Sequence, residues 1–458
     1  MSEDPTKKGI RRHGAKFTAL IGLDRRVITG ILPRILPMFF GPVGAFIIVH
    51  FLSVERQGIY YLFGSLIALR SLFELGVTAA ISQIAAHARN PADEADPGNR
   101  RLPASFVVVV NRWMNRAALL YGVVAGVGGL VFLLCMGQGP PDVLVAWTLA
   151  IVVAAFQLSQ EGRMGVLYGI DKVEEANTLR FRLGILQYVS QWIMLFAGLG
   201  LLSFSLSSLA SYLCEIFYFR RHHRWLWADG DLADVGEVDR FGGELKTLMR
   251  RVSQTYMTGY FVMQIQIPIS FYLFGALGSA QYGFTQTVGN SLIGLAGVWI
   301  SVAFPAIAYS ISQDQIEAAK AQFLRRGRQA LAVGVVGVIG TLFAYWVLGH
   351  FGRFADRLMP PLEATVLFIS MFLQQVALSL LFWPRAYKVE PFVHVAYIQM
   401  VITPLLLLVL GHFMGLLGFS LANVVSWVAG LALIIPVVMK FWNRRLYTGL
   451  ATPANPAN

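Results

Sequence analysis

The hydrophobic residues of this chain fall into long blocks that short polar segments separate. Each block is long enough to cross a bilayer core, which takes about 20 apolar residues in a helix. The blocks lie near 27–51, 57–87, 105–135, 142–168, 179–200, 203–221, 249–276, 280–311, 329–349, 361–384, 392–411 and 416–440. Because several exceed the bilayer thickness, we expect tilted helices or helices that extend into the interface. The pattern predicts an all-α integral membrane protein with about twelve transmembrane helices.

The longest internal polar stretch divides the predicted helices into six and six. We therefore predict a basic cytoplasmic N-terminus (1–26), an N-terminal six-helix lobe (27–221), a cytoplasmic linker (222–246), a C-terminal six-helix lobe (247–440) and a cytoplasmic tail (441–458). A weak repeat supports two related halves, since LSVERQG at 52–58 and LGSAQYG at 277–283 stand 225 positions apart. Two such halves are common in secondary transporters, which bind substrate between them. We expect the two lobes to surround a central cavity.

The distribution of basic residues predicts the orientation in the membrane. The chain has 37 Lys and Arg residues and a net charge of +12. With the N-terminus inside, all but five fall in cytoplasmic segments: Arg56, Arg353 and Arg357 lie outside, and Arg34 and Arg70 lie within spans. An excess of Lys and Arg in the inner loops predicts that both termini are cytoplasmic. The positive charge therefore reflects topology, and we expect no nucleic-acid binding.

The composition narrows the chemistry further. Only 14% of the residues are charged, whereas a soluble domain has about 25%. The sequence contains no Walker A motif, no zinc-ligand spacing and no GxSxG, and its eight histidines are scattered. The polar N-terminal segment is too long and too basic for a cleavable signal peptide. We expect a multi-pass membrane protein without a cofactor, a metal site or enzymatic activity.

Three charged residues fall inside the first two spans. Arg34 lies between Pro33 and Pro37, which kink or loosen a helix. Arg70 and Glu74 are four residues apart, so they share a helix face and can pair. A charge at bilayer depth usually marks function, and arginine suits phosphate. Arg34 and Arg70 are therefore candidate ligands for an anionic group and Glu74 for a coupling ion; alternatively, the pair is structural and Arg34 reaches the inner interface.

The second half offers amides instead of charges. The positions 225 residues after Arg70 and Glu74 are Leu295 and Trp299. We therefore expect the N-terminal half to bind the anionic part of a substrate. An amide in a span can bind a sugar hydroxyl, or it can form a hydrogen bond between helices. The candidate substrate-binding amides are Gln264, Gln266 and Gln374.

Further charged residues lie near the predicted inner ends of the helices. Glu161 and Arg163 are close enough in sequence to be a candidate pair, and Glu215 is expected at the interface. The arginines at inner helix starts, Arg180 among them, are expected to anchor lipid headgroups or to form a basic collar at a cavity mouth. The segment 317–328, EAAKAQFLRRGR, is expected to form a basic helix on the inner membrane surface.

The segment 52–83, LSVERQGIYYLFGSLIALRSLFELGVTAAISQ, resembles the second-helix region of Wzx-type polysaccharide flippases of the multidrug/oligosaccharidyl-lipid/polysaccharide (MOP) exporter superfamily. The matching residues are Leu-Ser at 52–53, Gly-x-Tyr at 58–60 and Glu-Leu-Gly at 74–76, and the internal YGIDKVEEAN also fits. The first span lacks the acidic residue that cation-coupled drug exporters of the superfamily often carry. The chain is also two spans shorter than a fourteen-helix lipid II flippase. Both departures favour the polysaccharide branch.

The resemblance implies a flippase that moves undecaprenyl-pyrophosphate-linked O-antigen or exopolysaccharide units from the inner to the outer leaflet of the bacterial cytoplasmic (inner) membrane by alternating access. It implies that Arg34 and Arg70 bind the pyrophosphate. A proton or sodium gradient is the expected energy source, and a polysaccharide polymerase and chain-length proteins are candidate partners besides membrane lipids. Two alternatives remain: a multidrug or organic-ion antiporter, which a site of two arginines and one glutamate disfavours, and a membrane-embedded polysaccharide polymerase, which short outer loops disfavour.

Overall fold

The structure is a computed structural model that describes residues 25–74, 76–88, 102–227, 234–350, 354, 357–387 and 389–443. The side chains of residues 25–28, 31, 34 and 250–259 lie outside this description, as do the predicted polar N-terminus up to residue 24 and the tail from residue 444. The described chain is helical throughout and contains no strand. Its α-helices are α1 (Arg25–Phe51), α2 (Val54–Ile67), α3 (Arg70–Glu74), α4 (Val77–His87), α5 (Ala104–Cys135), α6 (Pro141–Gly169), α7 (Val173–Phe196), α8 (Leu202–His222), α9 (Val235–Met263), α10 (Gln266–Ile293), α11 (Ala296–Ser312), α12 (Ile316–Gly349), α13 (Pro361–Leu380), α14 (Phe382–Arg385) and α15 (Val393–Trp442).

The helices have the length and hydropathy of membrane spans. Eight helical runs in the described residues are long and apolar enough to cross a bilayer, and two shorter apolar helices accompany them. The chain reverses inside α10 at Gly275 (φ 67°) and inside α15 at Gly415 (φ 63°), so each of these elements comprises two helices. Glycine adopts such a positive φ without steric cost. The prediction of an all-α membrane protein with about twelve transmembrane helices is confirmed.

The described chain forms two compact units. Unit 1 contains residues 25–47 and 66–257, and unit 2 contains residues 48–65 and 258–443. This division differs from the predicted lobe boundaries in two respects. Most of α2 belongs to unit 2 rather than to the N-terminal lobe, and the chain leaves unit 1 inside α9 rather than in the predicted linker.

The packing of α2 against α10 explains its place in unit 2. An ideal Cβ on Gly58 would lie 2.0 Å from the carbonyl oxygen of Ala276, so the two backbones are nearly in contact. The Ser279 hydroxyl donates to the Gly58 carbonyl at 3.3 Å. On the other side of this contact, an ideal Cβ on Gly283 would lie 2.5 Å from the ring of Tyr61. The two heptapeptides of the sequence repeat therefore pack against each other through their glycines.

The second span of each half is broken at an equivalent position. In the first half, α2 ends at Ile67, α3 begins at Arg70, and Gly76 (φ 71°) precedes α4. In the second half, α10 ends at Ile293 and α11 begins at Ala296. The two breaks match the 225-residue offset of the repeat to within one residue. The sequence predicted continuous spans at both places.

The first helix continues through Pro33, Pro37 and Pro42, each of which removes one backbone donor. One other local expectation differs from the structure. The basic segment 317–328 is not a separate surface helix, because α12 continues from it into the following apolar span. The basic and apolar parts of α12 therefore share one rigid axis.

Candidate functional site

Arg70 and Glu74 occupy the two ends of the short helix α3 in unit 1. The Arg70 Nη1 atom donates to Gln157 Oε1 on α6 at 3.4 Å, and Glu74 accepts a hydrogen bond from the Thr78 hydroxyl at 2.7 Å. The structure shows no ion pair between Arg70 and Glu74. The direct pair that the spacing suggested is therefore not formed, because each side chain bonds to a different neighbour.

A chain of neutral groups extends from Arg70 across unit 1. Gln157 donates through Nε2 to the carbonyl oxygen of Ser208 on α8 at 3.2 Å. Gln187 on α7 donates to the hydroxyl of Ser208 at 3.3 Å. A guanidinium has five N–H donors. Among the described residues, Arg70 forms one hydrogen bond, the 3.4 Å bond to the amide of Gln157. Arg70 therefore keeps donors for a ligand.

A second arginine of unit 1 is already paired. Arg180 on α7 lies 2.5 Å from the carboxylate of Glu161 on α6. Its guanidinium is 5.5 Å from the ring centre of Tyr168, whose hydroxyl donates to Asn177 at 2.9 Å. The sequence suggested that Glu161 pairs with Arg163. Residues two apart on a helix point in different directions, so the structure pairs Glu161 with a neighbouring helix instead.

Arg163 and Glu215 are both buried in the protein. Arg163 is 7% exposed, donates to Gln160 and lies 4.2 Å from the centre of the Trp227 ring, while its Nε atom has no hydrogen-bond partner. Glu215 is 9% exposed, while its expected depth at the membrane interface stays a prediction. It lies one turn after buried Ser211 on α8, so it shares the face that this helix packs against its neighbours.

The six charged residues form one group within unit 1. Glu74 and Glu215 are within electrostatic range of Arg70 and Arg180, and Glu161 is within range of Arg180. Sequence reasoning counted two arginines and one glutamate, whereas the described group contains three of each and is balanced in formal charge. No set of three or more His, Cys, Asp or Glu residues in the described chain is arranged to hold a metal ion. We define the unit 1 charge cluster as Arg70, Glu74, Glu161, Arg163, Arg180 and Glu215.

The amides predicted in the second half lie in unit 2. Gln264 is exposed at the turn between α9 and α10, and the Gln374 Nε2 atom lies 3.0 Å from the sulfur of Met263. Gln266 is buried, and its amide oxygen accepts the hydroxyl of Tyr282. Gln266 therefore supports helix packing, which was the alternative to sugar binding, while the roles of Gln264 and Gln374 stay predictions.

Sequence reasoning located part of the cluster and missed the rest. Arg34 lies in α1, but its side chain is outside the described residues. A signal for the missed part exists on α6, where Gln157, Gln160 and Glu161 recur at helical spacing inside an apolar span. Glu215 gave no such signal, because it stands close to the basic end of its span.

A separate polar group joins the start of α7 to the end of α8. Glu175 accepts hydrogen bonds from the ring Nε2 of His223 at 2.5 Å and from the Tyr218 hydroxyl at 2.6 Å. The bond from His223 is the main cause that lowers the pKa of Glu175 to about 2. Because His223 is only 2% exposed, this contact is built into the fold and fixes the end of the bundle.

No protein-family model and no curated protein sequence matches the chain. Solved structures do resemble it. An inward-facing multidrug resistance MATE family transporter of the MOP superfamily is 12% identical, with a TM-score of 0.64 over 90% of this chain and 98% of that one. Lipid II flippase MurJ in an inward closed conformation is 13% identical, with a TM-score of 0.63 over 91% and 88%. A MOP superfamily transporter from Pyrococcus furiosus, described with a binding pocket of reverse polarity, is 12% identical, with a TM-score of 0.56 over 92% and 96%.

At these identities the likeness establishes the fold. The similar chains are described as transporters or as a flippase. They include both a drug transporter and a lipid flippase, so both remain compatible with the fold. The chain therefore shares the fold of these structures, and its long apolar helices make it a multi-pass membrane protein.

Proposed function

We propose that the chain is a flippase that moves undecaprenyl-pyrophosphate-linked oligosaccharide from the inner to the outer leaflet of the bacterial cytoplasmic membrane, by alternating access driven by an ion gradient. Arg70 is the observation that carries this proposal. It stands at a helix break within an apolar unit, held by one 3.4 Å bond to a neutral amide. Its planar fork can replace part of the hydration that a diphosphate loses on leaving water.

The position of the break supports a substrate site. In secondary transporters, interrupted helices at equivalent places in the two halves often form the binding site. Here both halves have the break, but only the first has a charged residue at it, since the equivalent of Arg70 is Leu295. Binding of an anion by unit 1 alone is the simplest consequence.

The other members of the unit 1 charge cluster suggest a division of roles. Arg180 is paired with Glu161 at 2.5 Å. It can therefore add positive charge to the site, but it has fewer N–H donors left for a ligand. Glu74 bonds to a threonine hydroxyl rather than to an arginine. Its carboxylate is therefore the one that we propose for the coupling ion, either a proton or sodium.

A multidrug or organic-cation antiporter is the second candidate. The three carboxylates of the cluster favour it, because a cationic substrate requires negative charge. The two candidates differ in which residue is indispensable. A flippase requires Arg70, whereas a cation antiporter requires the glutamates and tolerates the loss of that arginine.

The decisive experiment measures surface polysaccharide in a flippase-deleted host that produces Arg70→Gln. A hydrogen bond to a charged group contributes about 1.5–3 kcal/mol, which corresponds to roughly a 10- to 150-fold loss of diphosphate affinity. We expect export to fall accordingly while the amount of protein in the membrane stays constant. Arg70→Lys should restore part of it, since lysine keeps the charge but lacks the fork.

Matched variants separate the two functions. Arg112→Gln changes an exposed arginine on α5 and should export normally, whereas Arg34→Ala should fail like Arg70→Gln. The double variant Arg70→Leu with Glu74→Leu should also fail, because the two side chains do not form a pair. Normal export by Arg70→Gln would reject the diphosphate site. Loss of cationic drug efflux in Glu74→Gln, together with normal export by Arg70→Gln, would establish the antiporter.

A further inference from the structure

Unit 2 contains an apolar groove that the transport site does not use. It lies between α11, α12 and α13 and encloses about 80 Å³. One wall is a face of α12 formed by Phe323, Gly327, Ala330 and Leu331. An ideal Cβ on Gly327 would meet no atom within 4 Å, so the missing side chain leaves part of the groove open. The groove is therefore shaped for a narrow hydrocarbon chain.

Basic residues lie beside this groove. Arg325, Arg326 and Arg328 belong to the same turn of α12, directly before its apolar span. Arg326 lies three residues after Phe323 and four before Ala330, so its side chain neighbours the groove wall. Its Nη1 atom donates to the amide of Gln329 at 3.1 Å, and no carboxylate of the described residues pairs with it. Arg326 therefore retains donors for a phosphate.

We propose that this groove binds an anionic phospholipid of the inner leaflet, with one acyl chain against Gly327 and the phosphate on Arg326. The predicted orientation places the start of the α12 span at the inner interface, where headgroups meet hydrocarbon. A basic residue there attracts an anionic headgroup by about 1 kcal/mol. The width left by one missing side chain suits an unbranched acyl chain better than a methyl-branched prenyl chain. The inference does not depend on the transported substrate.

The test counts the lipid that the purified full chain retains from mixed micelles of phosphatidylglycerol and phosphatidylcholine, using native mass spectrometry. The wild-type chain should retain phosphatidylglycerol selectively. Gly327→Leu fills the groove and displaces about two methylene groups of the bound acyl chain. Retention of phosphatidylglycerol should therefore fall about tenfold. Gly340→Leu is the matched control, because Gly340 also lies in α12 with no atom within 4 Å of an ideal Cβ but does not line the groove. It should retain the lipid.

A second pair of variants tests the headgroup contact. Arg326→Gln should weaken retention of phosphatidylglycerol about fivefold. Arg325→Gln removes the same charge from a direction about 160° away from Phe323 and Gly327 around the helix axis, so it should have little effect. Equal loss in both variants would reduce the effect to general surface charge and overturn the site.

Photo-crosslinking keeps the proposal testable if Gly327→Leu does not fold. A photoreactive residue at Leu331, in the groove, should label phosphatidylglycerol, whereas one at Val336, exposed on the same helix outside the groove, should label both lipids equally. Equal retention by Gly327→Leu and Gly340→Leu would overturn the proposal. So would equal labelling of both lipids at Leu331, or displacement of phosphatidylglycerol by an uncharged prenol.

Discussion

The glycine contact between α2 and α10 gives a sharp test of the packing of unit 2. In Gly58→Ala the new methyl group would lie 2.0 Å from the Ala276 oxygen and 2.7 Å from its carbonyl carbon. These are backbone atoms, so they cannot rotate away, and α2 must shift by roughly 1 Å or more to reach an ordinary contact. Overpacking of this kind costs about 1–3 kcal/mol. The shift also threatens the hydrogen bond from Ser279, which is worth about 1 kcal/mol.

The gain in helix propensity opposes this cost but is smaller, so Gly58→Ala should lower the stability. Replacing glycine by alanine inside a helix contributes about 1 kcal/mol of propensity, so we expect a net destabilisation of about 2 kcal/mol. Gly64→Ala is the control, because Gly64 lies in the same helix and an ideal Cβ there meets no atom within 4 Å. It should raise stability by up to about 1 kcal/mol. Thermal unfolding followed by tryptophan fluorescence compares the two variants, and equal or reversed melting temperatures would refute the packing argument.

Two further predictions concern acid stability and orientation. The pKa of Glu175 is lowered from 4.5 to about 2 by its bond with His223, so this contact stabilises the fold above about pH 4.5 and is lost as the pH falls toward 2. Because the carboxylate is partly exposed, Glu175→Gln should remove only about 1 kcal/mol at pH 7 and flatten the decline of stability in acid; an unchanged acid slope would contradict this. Reporter fusions after Gly275 should be active outside and fusions after Asp234 inside, and the reverse pattern would exclude the predicted orientation.

The positions of the spans could be predicted because lipid burial is a property of local sequence. The predicted outer loops contain Gly275 and Gly415, where the structure reverses the chain. The assignment of α2 to unit 2 could not be predicted in this way. It depends on a close backbone approach between Gly58 and Ala276, and hydropathy carries no information about which helices touch.

The sequence predicts those residues of the candidate site whose charge is unusual within a single span, but not the contacts between spans. The cost of a charge at bilayer depth pointed to Arg70 and Glu74. The pair between Glu161 and Arg180 joins α6 to α7, so neither residue shows its partner in sequence. The burial of Glu215 depends on which face of α8 packs inward, and its distance from the span end carries no information about that face. Contacts between helices therefore decide which charged residues meet, and a count of residues within spans does not reveal those contacts.

The two broken helices show that the fold determines the backbone break, whereas the side chains determine the charge at it. Both halves interrupt their second span at the same place, so the break follows from an arrangement of backbone that the repeat shares. The charge does not follow from it, since Arg70 stands at one break and Leu295 is its equivalent at the other. A backbone break exposes peptide groups that can bind many ligands. The side chain at the break then determines whether the site favours an anion or a cation. Chains of one fold can thus include a drug transporter and a lipid flippase, and the proposal that this chain carries an anionic lipid depends on Arg70.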